Sequence, residues 1–315
     1  MPEDAEIAML IAALESPDAE FRRIAVLQAA DEAHEHPHLF VRAARDPDAG
    51  VRLESVAALA GNASEEGIAV LVERLRDDDA EVRAAAADAL SEILDRDAAP
   101  VLLRHLTPAQ GQPKAAILAA LKKLRPAGAL EPALKALSDP LAAVRREAAG
   151  VLGYLRDERG LPGLAERVDL DPDAGVRRAA TGAVGFSSSE TARQGLLLGL
   201  RDADWETREE AAATLAKAGL AGAEDGLIAA LSDSYWQVRL KAAGALGKLK
   251  ARNAVPALCE ALRHPISNLR KEAAAALGAI GDPTAIPALT LALEDADIEV
   301  RKAAQRALAA LADLP

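Results

Sequence analysis

The stretch DPLAAVRREAAGVLG, residues 139–153, contains the pattern from which the rest of the chain is built. Val144, Ala148 and Leu152 are spaced four residues apart, which places them on one face of an α-helix. The Asp-Pro pair before them is typical of a turn that precedes a helix. The stretch therefore predicts a short turn followed by an amphipathic helix.

The same pattern returns along the whole chain at a nearly constant period. The position of Arg145, which we call the anchor, recurs ten times in 315 residues, with steps of 30 to 32 residues and most often 31. The anchors are Arg22, Arg52, Arg83, Lys114, Arg145, Arg177, Arg208, Arg239, Arg270 and Arg301. Such regularity predicts one solenoid array over residues 1–315. Residues 107–113 depart from the pattern, and we predict a bend there.

Each unit is predicted to contain two helices joined by an acidic turn. Apolar residues at 12, 11 and 8 positions before the anchor mark a first helix, and the anchor itself lies on a second. Asp stands six positions before the anchor in seven units and four positions before it in six. We expect the latter Asp to cap the second helix, and the Asp and Arg sets to form a ladder of ion pairs between units.

The two-helix period, together with the sequences DPLAAVRREAAGVLG, SDSYWQVRLKAAGALG (residues 232–247) and DPTAIPAL (residues 282–289), resembles HEAT repeats. The chain is most similar to the short HEAT-like repeats of the phycobilisome lyase group. The resemblance implies an all-α fold, a superhelix of ten two-helix repeats in which the second helices line a concave groove. It implies little about function, since such folds serve scaffolds, adaptors, lyase subunits and a few metal enzymes.

Composition narrows the classes of function. A net charge of -12 argues against a nucleic-acid partner, because neutralising phosphates requires a surplus of Lys and Arg. No apolar run is long enough to span a membrane, and the opening MPEDAEIAML is acidic where a secretion signal would be basic. A single cysteine, Cys259, is consistent with a reducing compartment. We therefore expect a cytoplasmic protein.

The few aromatic residues indicate a binding surface. Trp205 and Trp236 occupy the same position, three before the anchor, in adjacent units, and Tyr154 and Phe186 share the position nine after it. With Tyr235, five of the seven aromatics lie between residues 154 and 236. These five lie at or beside helix positions that repeat stacking leaves open, whereas Phe21 and Phe40 are predicted in the core. Each pair is predicted to form a patch, with Trp and Tyr as anchors for a partner.

Charged residues of mixed sign surround the predicted aromatic surface. We expect this set to form a polar rim: Arg146, Arg178, Glu209, Lys241 and Lys271. Two alternatives remain open at this point. The tryptophans could pack over the turns of their own repeats, and the charges could form an ordinary solvated face.

The sequence offers little catalytic chemistry. His34, Glu35, His36 and His38 form the one dense group of ligand-type residues, and Pro37 within it favours a polar loop over a metal site. His34–Glu35 is similar to the His-Glu pairs of deoxyhypusine hydroxylase, but that family repeats the pair and this chain has one. Cys259 lies at a core position and is predicted to be an inert thiol. We predict no cofactor and no enzymatic activity.

Three hypotheses of function follow. The first is a non-enzymatic scaffold or adaptor that binds another protein in the groove. The second is a subunit of a bilin lyase or another protein-modification enzyme. The third is an acidic inhibitor, of the immunity type, that binds a basic partner. The sequence does not indicate the oligomeric state.

Overall fold

The computed structural model describes residues 2–312 and contains twenty α-helices and no β-strand in that range. The first ten are α1 (Pro2–Ala13), α2 (Ala19–Gln28), α3 (Pro37–Ala43), α4 (Ala49–Ala58), α5 (Glu65–Arg74), α6 (Ala80–Ser91), α7 (Ala99–Leu106), α8 (Gly111–Leu124), α9 (Leu130–Ala136) and α10 (Ala142–Leu155). The other ten are α11 (Leu161–Leu170), α12 (Ala174–Val184), α13 (Glu190–Gly199), α14 (Trp205–Ala218), α15 (Glu224–Ala230), α16 (Trp236–Lys248), α17 (Val255–Ala261), α18 (Ser267–Ile280), α19 (Ile286–Ala292) and α20 (Ile298–Ala312).

The twenty helices form ten consecutive pairs, and each second helix carries one of the ten anchors. The predicted all-α fold of two-helix repeats is thereby confirmed. The helices pack into two compact units, of which the first ends at Leu155 and the second begins at Arg156. A single continuous array, a concave groove along it and a bend near residues 107–113 stay predictions.

Within each unit the second helices stack on one another and the first helices lie against them. In the first unit α2, α4, α6, α8 and α10 contact one another in sequence, and in the second unit α12, α14, α16, α18 and α20 do so. Contacts between first helices are mostly less extensive, as for α3 with α5 and α5 with α7, although α11 and α13 pack as closely as second helices do. The core of each unit therefore lies between a tight layer of second helices and a looser layer of first helices.

Small residues allow the second helices to approach closely. A Cβ atom added to Gly247 on α16 would lie 2.8 Å from the Cα of Ala276 on α18. Gly278 on α18 has the same 2.8 Å relation to the Cα of Ala307 on α20. Since real Cβ atoms need more room than this, no other residue fits at these two positions without moving a helix.

A ladder of ion pairs connects successive repeats, as the sequence predicts. Nε and Nη2 of Arg52 donate to the two carboxylate oxygens of Asp77 at 2.9 and 2.7 Å. Nη1 of the same residue donates to the carbonyl oxygens of Asp46 and Pro47, at 3.0 and 2.9 Å. One guanidinium thus bonds the turn before its own helix and also the carboxylate of the next repeat. We call this arrangement the Arg–Asp ladder.

The Arg–Asp ladder recurs in both units. Its pairs include Arg22–Asp46, Arg52–Asp77, Lys114–Asp139, Arg177–Asp202, Arg208–Asp233 and Arg270–Asp295. Burial by itself raises the pKa of Asp77, but hydrogen bonds from Arg52 and from the Asp79 amide outweigh it and lower that pKa to about 2. The carboxylates of the ladder are therefore charged at neutral pH.

The second Asp set caps the second helices, which confirms that prediction. The carboxylate of Asp48 accepts a hydrogen bond from the amide of Val51 at 3.1 Å, at the start of α4. The same role falls to Asp18, Asp48, Asp79, Asp173, Asp204 and Asp297. These caps satisfy amides that the helix leaves without partners.

The two aromatic residues predicted in the core have different environments. Phe40 on α3 is fully buried, as predicted. Phe21 on α2 is 55% exposed, so its predicted core position is wrong. The ring of Phe21 faces solvent, whereas Val51 and Val82 at the same position of later repeats are fully buried. Separately, none of the helices between residues 2 and 312 is long and apolar enough to cross a membrane.

We expect Asp77→Ala to lower the free energy of unfolding by about 3 kcal/mol, because it removes the buried carboxylate that accepts two hydrogen bonds from Arg52 and leaves that guanidinium only the exposed carboxylate of Asp78. The measurement is urea unfolding followed by circular dichroism at neutral pH. Arg83→Met is the control: Arg83 donates to the carbonyl oxygens of Asp77 and Asp78, and no carboxylate bonds it within residues 2–312. We expect a loss of about 1 kcal/mol there. Equal losses in the two variants would contradict a dominant role of the ladder.

Candidate protein-binding site

A stacked pair of aromatic rings lies where two neighbouring second helices begin. Trp205 is the first residue of α14, and Tyr235 occupies the capping position just before α16. Their ring centroids are 5.1 Å apart and their planes differ by 10°. Tyr235 has extended backbone angles, φ -97° and ψ 123°, and its ring lies over the preceding repeat. Two successive repeats thus build one flat aromatic surface.

One pair of the Arg–Asp ladder, Arg208–Asp233, contacts this aromatic pair and holds it in place. The guanidinium of Arg208 lies over the Tyr235 ring, 5.8 Å from its centroid, and donates to Asp233 at 2.6 and 3.0 Å. The amide of Tyr235 also donates to Asp233, at 2.9 Å. Tyr235 remains 44% exposed and Trp205 is half-buried. The rings are therefore fixed from the protein side and accessible from the other, an arrangement that favours binding because little side-chain entropy remains to be lost.

The contact of Trp205 differs by one residue from the predicted pairing. Trp205 stacks on Tyr235 and not on Trp236, its counterpart in the next repeat. Trp236 is half-buried at the first position of α16, and Phe186 is half-buried in the turn after α12. Tyr235, just before α16, has an extended backbone, and its side chain therefore projects towards the preceding repeat. Trp236 is already part of the helix. We call Trp205, Tyr235 and Trp236 the aromatic cluster.

Two of the predicted site residues belong to the first unit. Arg146 and Tyr154 both lie on α10, whereas Phe186 and the aromatic cluster belong to the second unit. Tyr154 is 48% exposed, and the guanidinium of Arg125 lies 5.0 Å from its ring centroid. The pairing of Tyr154 with Phe186 stays a prediction.

The predicted charged rim consists partly of ion pairs. Arg178 on α12 pairs with Glu206 on α14, and Lys241 lies 3.9 Å from Glu209. In the first unit, Arg146 lies 3.7 Å from the neighbouring Glu147. The fifth member, Lys271, lies on α18. Exposed pairs of this kind contribute little to stability, so their charges remain available to a partner at small cost.

A break in the Arg–Asp ladder lies next to the aromatic cluster, and the sequence analysis did not predict it as part of a site. Arg239 is the anchor of α16, and the position 25 residues after it, where the ladder requires Asp, is His264. Nδ1 of His264 accepts a hydrogen bond from the Ile266 amide at 3.1 Å. His264 therefore accepts the backbone hydrogen bond that Asp accepts in other repeats, but it does not supply the negative charge. The sequence does contain the indication: seven repeats have Asp six positions before the anchor, and the repeat of Arg270 has His264 there.

Neither the His/Glu group before α3 nor Cys259 has surroundings that favour metal binding or catalysis. Side-chain ligand atoms of Glu32, Glu35 and His36 lie within 4.8 Å of one another on a surface turn before α3, and such exposed groups are common without a metal. His36 and His38 form an edge contact with centroids 6.1 Å apart. Cys259 is half-buried, and burial raises the pKa of its thiol. A raised pKa disfavours the nucleophilic thiolate.

The chain is similar to one protein family in sequence and to several solved structures in fold. A family model of HEAT repeats matches residues 36–122, 109–185 and 224–309. An engineered protein of known structure is similar to the chain, with 23% identity and a TM-score of 0.53, over 98% of this chain and 100% of the other. Yeast importin-β (Kap95p) is similar with 13% identity and a TM-score of 0.64, over 99% of this chain and 52% of importin-β. No curated protein sequence matches.

We expect the stability of the protein to fall between pH 7.5 and pH 5 in a way that depends on His264. Burial, and then the positive charges of Arg239 and Arg270, lower the pKa of His264 in the folded protein. The unfolded chain thus binds a proton more readily, and acidification through the ordinary histidine range favours unfolding. His264→Asn keeps a hydrogen-bond acceptor that does not titrate, so its loss of stability on acidification should be smaller.

Urea unfolding at the two pH values measures this effect, with His34→Asn, at an exposed histidine, as the control. The control should retain the pH dependence of the wild type. If His264→Asn retained it as well, the imidazole would have no part in the effect.

Proposed function

The chain belongs to the HEAT-repeat family, and we propose that it is a non-enzymatic scaffold or adaptor that binds another protein through the aromatic cluster of its second unit. HEAT-repeat solenoids commonly bind protein partners. Importin-β is similar to this chain at 13% identity, so it supports the fold and not a particular partner. The proposal therefore rests on the residues of this chain.

The observation that carries the proposal is the stacked Trp205–Tyr235 pair at the protein surface. A tryptophan at the first position of a second helix is unnecessary for stacking repeats, since Ala occupies it in five of the other eight units. Large, rigid aromatic side chains with one accessible face are the commonest anchors of protein interfaces. The ion pairs Arg178–Glu206 and Lys241–Glu209 provide a polar rim around the aromatic cluster.

Two other hypotheses have less support. A bilin lyase subunit is suggested by the repeat type only, and absorbance of a copurified chromophore would test it. An inhibitor of a basic partner is suggested by the net charge of -12, and association that weakens with salt would test that. The absence of a cofactor and a cytoplasmic location stay predictions.

We expect the double variant Trp205→Ala, Trp236→Ala to lose its partner. In affinity capture from native lysate, the wild type should recover at least one protein that the double variant recovers at least about tenfold less, since anchor residues commonly contribute 2 kcal/mol or more. Phe21→Ala is the control, because it removes an exposed aromatic ring from the first unit. That control should recover the partner as the wild type does.

A spectroscopic measurement then locates the contact. The chain contains only two tryptophans, and both belong to the aromatic cluster, so intrinsic tryptophan emission reports on this surface alone. Addition of the captured partner should shift the emission of the wild type. Recovery of the same partners by all three proteins, with unchanged emission, would refute the proposal.

A further inference from the structure

Arg239 is half-buried, and only one of the nitrogen atoms of its guanidinium donates a hydrogen bond. Its Nε donates to the carbonyl oxygen of Asp233, in the turn before its own helix. Within residues 2–312, neither of its terminal nitrogens has a hydrogen-bond or ion-pair partner. In the intact pairs of the Arg–Asp ladder, such as Arg208 and Arg270, the guanidinium donates two bonds to one carboxylate. Arg239 therefore lacks the carboxylate partner of the intact pairs, and its two terminal nitrogens, rather than the Nε and Nη2 used in those pairs, are available to a carboxylate.

The chain does not fill this position from its own turn. The segment HPISNL, residues 264–269, contains no Asp or Glu. His264 is already engaged through Nδ1 with the Ile266 amide at 3.1 Å. Asp233, the one acidic residue of residues 233–238, is paired with Arg208. Although the net charge of the chain is -12, this edge carries an uncompensated positive charge.

A second break in the ladder provides an internal comparison. Arg83 faces Pro108 in the corresponding register, but it is exposed and its Nη1 donates to two carbonyl oxygens, at 2.7 and 2.9 Å. Water can solvate that guanidinium freely. Arg239 is half-buried, so a carboxylate at its terminal nitrogens would gain more than one at Arg83.

Apolar groups flank Arg239. Trp236 lies one helical turn before it on α16, and Ile266 replaces the capping Asp at the start of α18. Ile266 follows Trp236 by the same 30 residues by which Tyr235 follows Trp205, and from this equivalence to the stacked pair we infer that Ile266 and Trp236 are neighbours. The edge thus offers an apolar surface beside a single unpaired guanidinium.

We propose that this edge binds an acidic segment of a partner protein, with one Asp or Glu carboxylate bonded to the terminal nitrogens of Arg239 and a neighbouring apolar side chain on Trp236 and Ile266. The inference rests on the proposed function, because it states the chemistry of the partner at the same surface. Charge complementarity selects an acidic segment over a basic one here. The segment supplies the carboxylate that the ladder lacks.

Fluorescence anisotropy with three labelled peptides tests the proposal on the full chain. The first peptide has four glutamates around one phenylalanine and an amidated C-terminus, and its counterparts carry glutamine or lysine in place of glutamate. We expect the glutamate peptide to bind at least about tenfold more tightly than the glutamine peptide. Equal binding of these two, or tighter binding of the lysine peptide, would overturn the proposal.

Two variants assign the effect to Arg239. Arg239→Gln should weaken binding of the glutamate peptide at least about tenfold, because it removes the charge. His264→Asp restores a carboxylate at the register of the ladder, so it should raise the melting temperature and also abolish binding of this peptide. Pro108→Asp, the matched change opposite Arg83, should leave peptide affinity unchanged. Undiminished binding by His264→Asp, or loss of binding by Pro108→Asp, would sink the assignment.

The outcome is distinguishable from failure of the proposed function. If the glutamate peptide did not bind but capture of a partner still required Trp205 and Trp236, the scaffold proposal would stand and the acidic segment would be wrong. If both failed, the whole surface would be wrong.

Discussion

Each intact pair of the Arg–Asp ladder fixes the distance and the rotation between two successive repeats. The guanidinium has five donors in one plane, and in Arg52 they join two carbonyl oxygens of its own turn to the carboxylate of Asp77 in the next. Removing either group would deprive a buried charge of its two-bond partner, which costs more free energy than the loss of an exposed ion pair. Where a pair is intact, it sets the positions of the side chains at the starts of the two helices. Where it is broken, as between α16 and α18, close packing at Gly247 still stacks the helices.

The ladder also explains where binding chemistry is available. Wherever it is complete, the anchor arginines and the Asp residues neutralise each other, and that edge offers a partner little unsatisfied charge. The turns before α16 and α18 have lost Asp at the capping position, replaced by Tyr235 and Ile266, and the second of them has lost the ladder Asp as well. These two repeats thus carry apolar residues where other repeats carry acidic ones, at the surface that we propose for a partner.

The aromatic cluster is fixed by the same interaction that holds the repeats together. Arg208 bonds Asp233 and lies over the ring of Tyr235, on which Trp205 stacks. A rigid support lowers the entropy that a partner must remove on binding. Arg208 and Asp233 therefore both stabilise the second unit and position the surface that we assign to a partner. We expect a substitution of either residue to affect stability and binding together.

The sequence by itself determined the ten-unit period, the two-helix repeat, the capping Asp residues and the Arg–Asp ladder, because each depends on short spacings repeated many times. It also located the aromatic residues, but it paired Trp205 with Trp236 and placed Phe21 in the core. Only the tertiary structure decided that Trp205 stacks on Tyr235, since an extended residue before a helix projects towards the preceding repeat. Only the structure showed the terminal nitrogens of Arg239 without a partner, because hydrogen bonding depends on the position of each guanidinium in space and not on its place in the repeat.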